Sequence, residues 1–285
     1  MLYYFSVMKY NAYKQQENHI SKGEMIMKKL TAIVLTLTLL SACLPGCAKK
    51  DTDSDTAYVR DKGKLIVGIT EYAPMDYKDE NGQWTGFDAE FARAVAAKLG
   101  VEVEFLEIDW DNKVFELNSK AIDCVWNGMT ITEEVKRNMS VSSPYVKNAQ
   151  VVVMNQEFAA DYNAIELLQT LDFAVEAGSA GAEALDGLEI TDYIQVQTQS
   201  AALMEVAAGT VQACVIDITM ANAMTGPGTG YPELAIANEL SSEEYGIGFR
   251  KDSDLTETVN GIMAELMADG TLDVLAEKYS LTLVK

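Results

Sequence analysis

Two stretches of this chain follow one plan. Val114 to Gly128, "VFELNSKAIDCVWNG", and Ala201 to Asp217, "AALMEVAAGTVQACVID", each run from helical apolar spacing through a turn into a short apolar strand. The repeat commits the chain to alternating helix and strand, and the other segments agree. "KLIVGIT" reads as a buried strand, "GFDAEFARAVAAKLG" as an amphipathic helix closed by Gly100, and "VEVEFLEI" as an alternating strand. A second series starts near Gln150 with the strand "QVVVMN", the helix "AIELLQT" and the strand, turn and helix start of "DFAVEAGSAGAEAL". The expected class is therefore α/β, with two lobes facing each other. The last strand and two amphipathic helices, from Tyr245 onward, are expected to dock back on the first lobe and make it discontinuous. The expected division is 59–147 with 236–285 for lobe 1, and 148–235 for lobe 2.

The N-terminal region reads differently. Residues 28 to 43, "KKLTAIVLTLTLLSAC", form a basic patch, an apolar run of signal-peptide length and small residues before a Cys. The run falls short of the ~20 apolar residues that span a bilayer. Leu40-Ser41-Ala42-Cys43 resembles a bacterial lipobox, which makes Cys43 the expected lipidated residue, with Cys47 as the alternative. Residues 27–43 are then a lipoprotein signal peptide and 44–58 a flexible linker. Upstream, Lys22-Gly23-Glu24 is what a purine-rich ribosome-binding site encodes when translated, and Met25 or Met27 follows it. Residues 1–26 are accordingly expected to be an extension from a start codon assigned too early.

Charge narrows the partners. The chain carries a formal net charge of −21, and loss of residues 1 to 42 would make it more acidic still. Such a surface argues against nucleic acid and anionic membrane surfaces as partners. The same loss would remove His19, the single histidine, and with it histidine-dependent catalysis and His-ligated metal sites. Cys124 and Cys214 lie in apolar strand-like runs without a CxxC partner, as buried free thiols do. No cofactor or metal is expected.

In open α/β sheets, ligands bind beyond the carboxyl ends of the strands. The loops in those positions hold Glu71-Tyr72-Ala73-Pro74, Asp109-Trp110-Asp111, Asn127 to Thr132, Gly178 to Gly181, and Asp217. In "AGSAG", Ser179 is placed to cap a helix while the glycines let backbone N–H groups converge, which suits either an anion site or an ordinary strand-to-helix turn. "GPGTG" at 226 to 230 lacks the Lys of a phosphate loop and reads as a surface turn.

Several motifs occur in order: "YKDENGQWTGFDAEFARAVAAKLGVEVEF", "DWDNKVFELNSKAIDCVWNGMTIT", "SSPY", "AGSAG", "EEYGIGFRK" and "MADGTLDVLAEKY". Over residues 60 to 284 the chain resembles the family 3 extracellular solute-binding proteins, the polar amino acid receptors of bacterial ABC importers. The resemblance implies a type II periplasmic-binding-protein-like fold with a ligand cleft between the lobes. It also implies a monomer that delivers a small polar amino acid or related amine to an ABC permease and its ATPase. A lipobox followed by a polar linker places such a receptor on the outer face of the cytoplasmic membrane, in a bacterium without an outer membrane.

Carried over residue by residue, the resemblance has Tyr72 and Trp110 sandwich the ligand. The Gly128 carbonyl and Asp217 receive the α-amino group, Thr130 bonds near the carboxylate, and the turn at Gly178, Ser179 and Ala180 donates N–H groups to it. Glu71, Asn127 and Met129 complete the expected ligand-binding set. Val135 departs from the pattern, because it stands where the family has an Arg that grips the carboxylate. Lys136 or Arg137 reaching in would replace that Arg; otherwise the carboxylate is held weakly or the ligand has none, or Val135 marks a drifted receptor. An enzyme on the same fold, a dehydratase of cyclic acids, is the alternative, with Glu71 or Glu176 as its general acid.

Overall fold

The computed structural model describes residues 54–285, which belong to one compact unit. The expectations for residues 1–26 and 27–43, for Cys43 and Cys47, and for most of the linker lie outside the described residues. No helix among the described residues is long and apolar enough to cross a membrane.

Among the described residues, thirteen strands make two main sheets and a small hairpin. The strands are β1 Lys64–Ile69, β2 Tyr77–Lys78, β3 Trp84–Thr85, β4 Glu102–Glu107, β5 Cys124–Thr130, β6 Ser140–Val141, β7 Val146–Asn148, β8 Gln150–Asn155, β9 Phe173–Glu176, β10 Tyr193–Val196, β11 Ala213–Asp217, β12 Leu234–Glu239 and β13 Glu243–Phe249. The first sheet has the order β4-β1-β5-β13-β6, with β7 also on β13; the second runs β10-β9-β11-β8-β12. Each holds three parallel strands and one antiparallel strand that enters from the other lobe, β13 in the first and β8 in the second. This is the two-lobed α/β architecture expected from the repeated plan.

Burial explains the strand composition. All seven residues of β5 and all five of β11 are buried, as central strands covered on both faces must be, whereas edge strand β4 exposes its glutamates. The helix Phe87–Leu99 buries Phe87, Phe91, Val95 and Leu99 at helical spacing against the first sheet. Phe91 meets Trp126 edge-on at 4.7 Å, and Phe87 stacks on Tyr145 at 6.1 Å. Cys124 and Cys214 are buried and unpaired.

Three boundaries differ from the sequence expectation. Residues 55 to 58, read as linker, open the helix Asp55–Lys62: Ser54 Oγ accepts from Ala57 N at 3.0 Å, and Asp55 pairs with Arg250 at 2.9 Å. A polar segment was thus anchored by partners about 200 positions away. Residues 236 to 239 belong to β12 in the second sheet, so the chain returns to the first lobe between Glu239 and Glu243 and not at 236. Asn148 ends β7 and pairs with Glu243, which leaves it in the first sheet and puts the outward crossing at Ala149. "AIELLQT" forms 3-10 turns over Ile165–Thr170 that leave Ile165 and Leu167 exposed.

Candidate functional site

Between the C-terminal ends of the two sets of parallel strands lies a cavity of about 300 Å³. Tyr72, Trp110, Asn127, Gly128, Met129, Thr130 and Val135 line it from the first lobe; Gly178, Ser179, Ala180 and Asp217 line it from the second. Of the sequence-predicted set, Glu71 alone is elsewhere. It is exposed, and its carbonyl accepts from Ser200 Oγ at 3.5 Å. Neighbours on an extended segment point to opposite sides, so an inward Tyr72 turns Glu71 outward.

The floor is fixed from behind. Asn127 Oδ1 accepts from the Thr70 amide and, at 2.8 Å, from its hydroxyl, while Nδ2 donates to Asp76 at 3.0 Å. The Gly128 amide donates to Asp88 at 2.6 Å. Burial lifts the Asp88 carboxyl to about 7; burial and then the neighbouring Asp88 lift Asp76 as well. Gly128 adopts φ 54, and a Cβ there would stand 2.6 Å from the Tyr72 ring. That ring is locked by hydrogen bonds between its hydroxyl and those of Thr219 and Tyr245. Gly128→Ala is therefore expected to cost roughly 2–5 kcal/mol in urea unfolding, from left-handed strain plus overpacking.

The corner that the sequence left without an arginine is apolar. Val135 is 7% exposed on the short helix Glu133–Asn138 and packs in one cluster with Trp110, Met129 and Met139. Lys136 pairs with Glu133 at 2.8 Å and Arg137 is exposed; neither lines the cavity. Of the alternatives left open for this corner, a replacement cation from Lys136 or Arg137 is not the one adopted, since successive helical residues turn ~100° away from the inward Val135. The Thr130 hydroxyl donates to Glu243 at 3.0 Å, and Ser179 Oγ is occupied in capping Ala182 N at 3.2 Å.

The one cationic side chain lining the cavity is Lys113, which the sequence reading missed. It donates to the carbonyls of Trp110 at 3.2 Å and Gly178 at 2.8 Å, and lies 5.0 Å from the Trp110 ring centre. Burial lowers its pKa against the pull of Glu176 and Asp111. Lys113 also joins the lobes, as does the bond from Thr132 Oγ1 to Glu183 at 3.1 Å. Gly178, at φ 66, sits so close to Asp111 that a Cβ would come within 2.6 Å of its Oδ1. The cleft is closed.

Against that single lysine stand six carboxyl groups: Asp111, Glu134, Glu176, Glu183, Asp186 and Asp217. Asp217, the last residue of β11, is 3% exposed and ringed by three amides. Asn148 and Gln150 donate to Oδ1, the latter at 2.7 Å, and Gln199 donates to Oδ2. Burial raises it to about 6. Gln150 and Gln199 carried no signal in sequence, because they meet Asp217 only through the fold. Glu176 did carry one, as an acid closing the apolar strand "FAVE" just before the glycine turn. Among the described residues no group of three or more His, Cys, Asp or Glu is placed to hold a metal ion.

Comparison with known proteins supplies the context for this arrangement. The L-cystine-binding protein TcyJ of Escherichia coli K12 is 28% identical over 268 residues, covering 92% of this chain and 96% of its own length. The arginine-binding extracellular protein ArtP of Bacillus subtilis is 29% identical over 255 residues, covering 85% and 96%. Among solved structures, the ancestral amino acid-binding protein AncCDT-1, a precursor of cyclohexadienyl dehydratase, superposes with a TM-score of 0.72 at 30% identity, covering 79% of this chain and 99% of its own. A family profile matches residues 65–282, which takes in both sheets, the cleft and the returning helices. The chain belongs to the bacterial extracellular solute-binding proteins, family 3.

Proposed function

We propose that this chain is the binding component of an ABC importer, which closes its two lobes on a small amino acid or related amine and hands it to a membrane permease and its ATPase. The observation that carries this reading is Asp217. A buried carboxyl, oriented by three amides at the meeting of two closed lobes, is an acceptor for an ammonium group. The Gly128 carbonyl would share that group, and Tyr72 and Trp110 would flank the ligand. Lipidation at Cys43, or at Cys47, would hold a monomeric receptor on the outer face of the cytoplasmic membrane in a cell without an outer membrane.

A carboxylate on the ligand has few donors to meet. Val135 offers none, and the Thr130 hydroxyl donates to Glu243. What remains is Lys113, the Ser179 hydroxyl, which accepts from Ala182 and keeps its own proton, and the first-turn N–H groups of the helix Ala180–Gly187, which have no partner inside the helix. A charged hydrogen bond contributes roughly 1.5–3 kcal/mol, so the missing pair removes about one to two decades of affinity for the carboxylate. In thermal unfolding of the purified protein, a decarboxylated amine is expected to raise Tm at least as much as its parent amino acid. Ligand at ~100 Kd stabilises by about 2.7 kcal/mol, a shift of several degrees at this size. An amino acid that raises Tm while its matched amine does not would show that Lys113 and the 178–181 turn grip the carboxylate.

One observation favours a second reading, an enzyme related to the cyclic-acid dehydratases. Glu176 lines the cavity, and burial followed by the charge of Asp217 lifts its carboxyl to about 8, as a general acid requires. Six carboxyl groups make the same cavity hostile to an anionic substrate. Turnover of a cyclic carboxylic acid with product release, in place of stoichiometric binding, would establish the enzyme.

A further inference from the structure

Glu176 is the polar side chain in the cleft with its bonding capacity unspent. It is 3% exposed, it lines the cavity, and its Oε1 has no hydrogen-bond partner. Its neighbours Asp217, Glu183 and Lys113 are engaged more fully, whereas Asp111 and Glu134 are exposed to solvent. Asp217 accepts three amide donors, Glu183 accepts from Thr132, and Lys113 gives two of its three protons to backbone carbonyls. Glu176 closes β9, and Asp217 closes β11, its parallel neighbour. The register pairs Val215 with Val175, so the two acids stand one residue out of step at the carboxyl ends of adjacent strands, and both line the cavity.

An unbonded buried carboxyl is costly, and strand ends tolerate one when something binds there. The walls indicate the sign of that partner. The charged groups facing the cleft are Asp111, Glu134, Glu183, Asp186 and Asp217 beside Glu176, with Lys113 as their single opposite. An ammonium at Asp217 leaves Glu176 with only the distant charge of Lys113, which bonds the Trp110 and Gly178 carbonyls and makes no ion pair with it. We infer that Glu176 is the counter-ion for a second cationic group of the ligand, so that the cleft takes a small organic dication. This rests on the binding-protein reading and names the ligand class for it.

A proton follows from the same geometry. In the free protein Glu176 titrates at about 8, held up by burial and then by Asp217, with Lys113 opposing. At pH 7 it is mostly protonated, and a cation binds the ionised form. Dication binding therefore releases close to one proton per ligand at pH 7. Affinity rises about tenfold per pH unit toward 8 and levels off above it. Asp217 contributes a separate, lower step near 6, while Tyr72 and Tyr193 are raised above their ordinary range and stay protonated throughout.

The test is calorimetric titration of the full-length chain in detergent at pH 7, in two buffers of different ionisation enthalpy. The probes are arginine, ornithine and putrescine, each with two cationic groups, against citrulline, norvaline and butylamine, which keep one. The doubly cationic probes are expected to bind roughly ten- to hundredfold more tightly than their partners, with near-unit proton release. Glu176→Gln, an isostere of the protonated form, is expected to abolish the release and most of the discrimination. Equal affinity for a dication and its monocation, or proton release that survives Glu176→Gln, would overturn the inference and leave the receptor reading standing. Failure of every amino acid and amine to bind would remove the receptor reading and the inference with it.

Discussion

Asp217→Ala is expected to weaken ligand binding by at least about a hundredfold and to destabilise the free protein by roughly 3 kcal/mol. Two losses combine. An ammonium enclosed without its carboxylate forfeits a charge-assisted hydrogen bond and remains buried unpaired, a cost of about 3–5 kcal/mol. In the free protein, the side-chain amides of Asn148, Gln150 and Gln199 lose an acceptor they converge on, at ~1–3 kcal/mol for each donor left unsatisfied. Gln150 retains Glu243 at 3.0 Å, which keeps the total toward the low end. Calorimetry reads the first effect and urea unfolding the second. Asp217→Asn separates them: it retains the size of the side chain and one acceptor oxygen, so stability recovers in part while affinity stays low. Wild-type affinity in Asp217→Ala would place the amine elsewhere in the cleft.

The second large effect is a fall in stability of the unliganded protein as pH rises from about 5 to 8. Three buried carboxyls titrate far above their ordinary range: Glu176 at about 8, Asp88 at about 7 and Asp217 at about 6, in each case chiefly through burial. Their folded-state values exceed the unfolded ones, so between about pH 4 and 8 the folded state binds more protons. Stability is then greatest on the acid side of this window and falls as pH climbs through it, at ~1.4 kcal/mol per unit for each group still protonated. Opposing contributions lie lower: the exposed Asp79, held down by the Gln83 amide, matters only below the ordinary carboxylate range. Thermal melts should show a higher Tm at pH 5.5 than at pH 8, and Glu176→Gln should raise Tm at pH 8 and flatten the slope. A Tm independent of pH over that interval would mean these carboxyls are hydrated.

The sequence disclosed those parts of the site that local rules govern. Gly128 lies within the buried strand β5 at a place where only a residue without Cβ escapes Tyr72. Asp217 ends an apolar run, and Ser179 stands before a helix start. Each can be read within a few residues. Whether Lys136 or Arg137 replaces the missing Arg was left open in the sequence, and helix phase decides it: with Val135 inward, the next two positions face away. Gln150, Gln199 and Lys113 were not legible at all. Their importance comes from contacts with Asp217 and Gly178 that only the packed lobes create. The end of lobe 2 was misjudged for a related reason: β12 is mostly half-buried, so its short mixed pattern does not reveal which sheet it joins.

The two strands that pass between the lobes carry more than connectivity. Asn148 and Gln150 flank the outward crossing at Ala149, and Glu243 begins the return strand. Asn148, from the first lobe, reaches Asp217 in the second; Gln150, from the second, reaches both Asp217 and Glu243. Any rotation of one lobe about these strands therefore stretches the same few bonds that orient Asp217, the proposed ammonium acceptor. On that proposal pivot and receptor are one joint, and its stiffness is set in part by the charge on Asp217. Selection acting on either Asn148 or Glu243 would shift affinity and the balance of open and shut forms together, which leaves this protein little freedom to adjust the grip on its cargo without also retuning the moment of release.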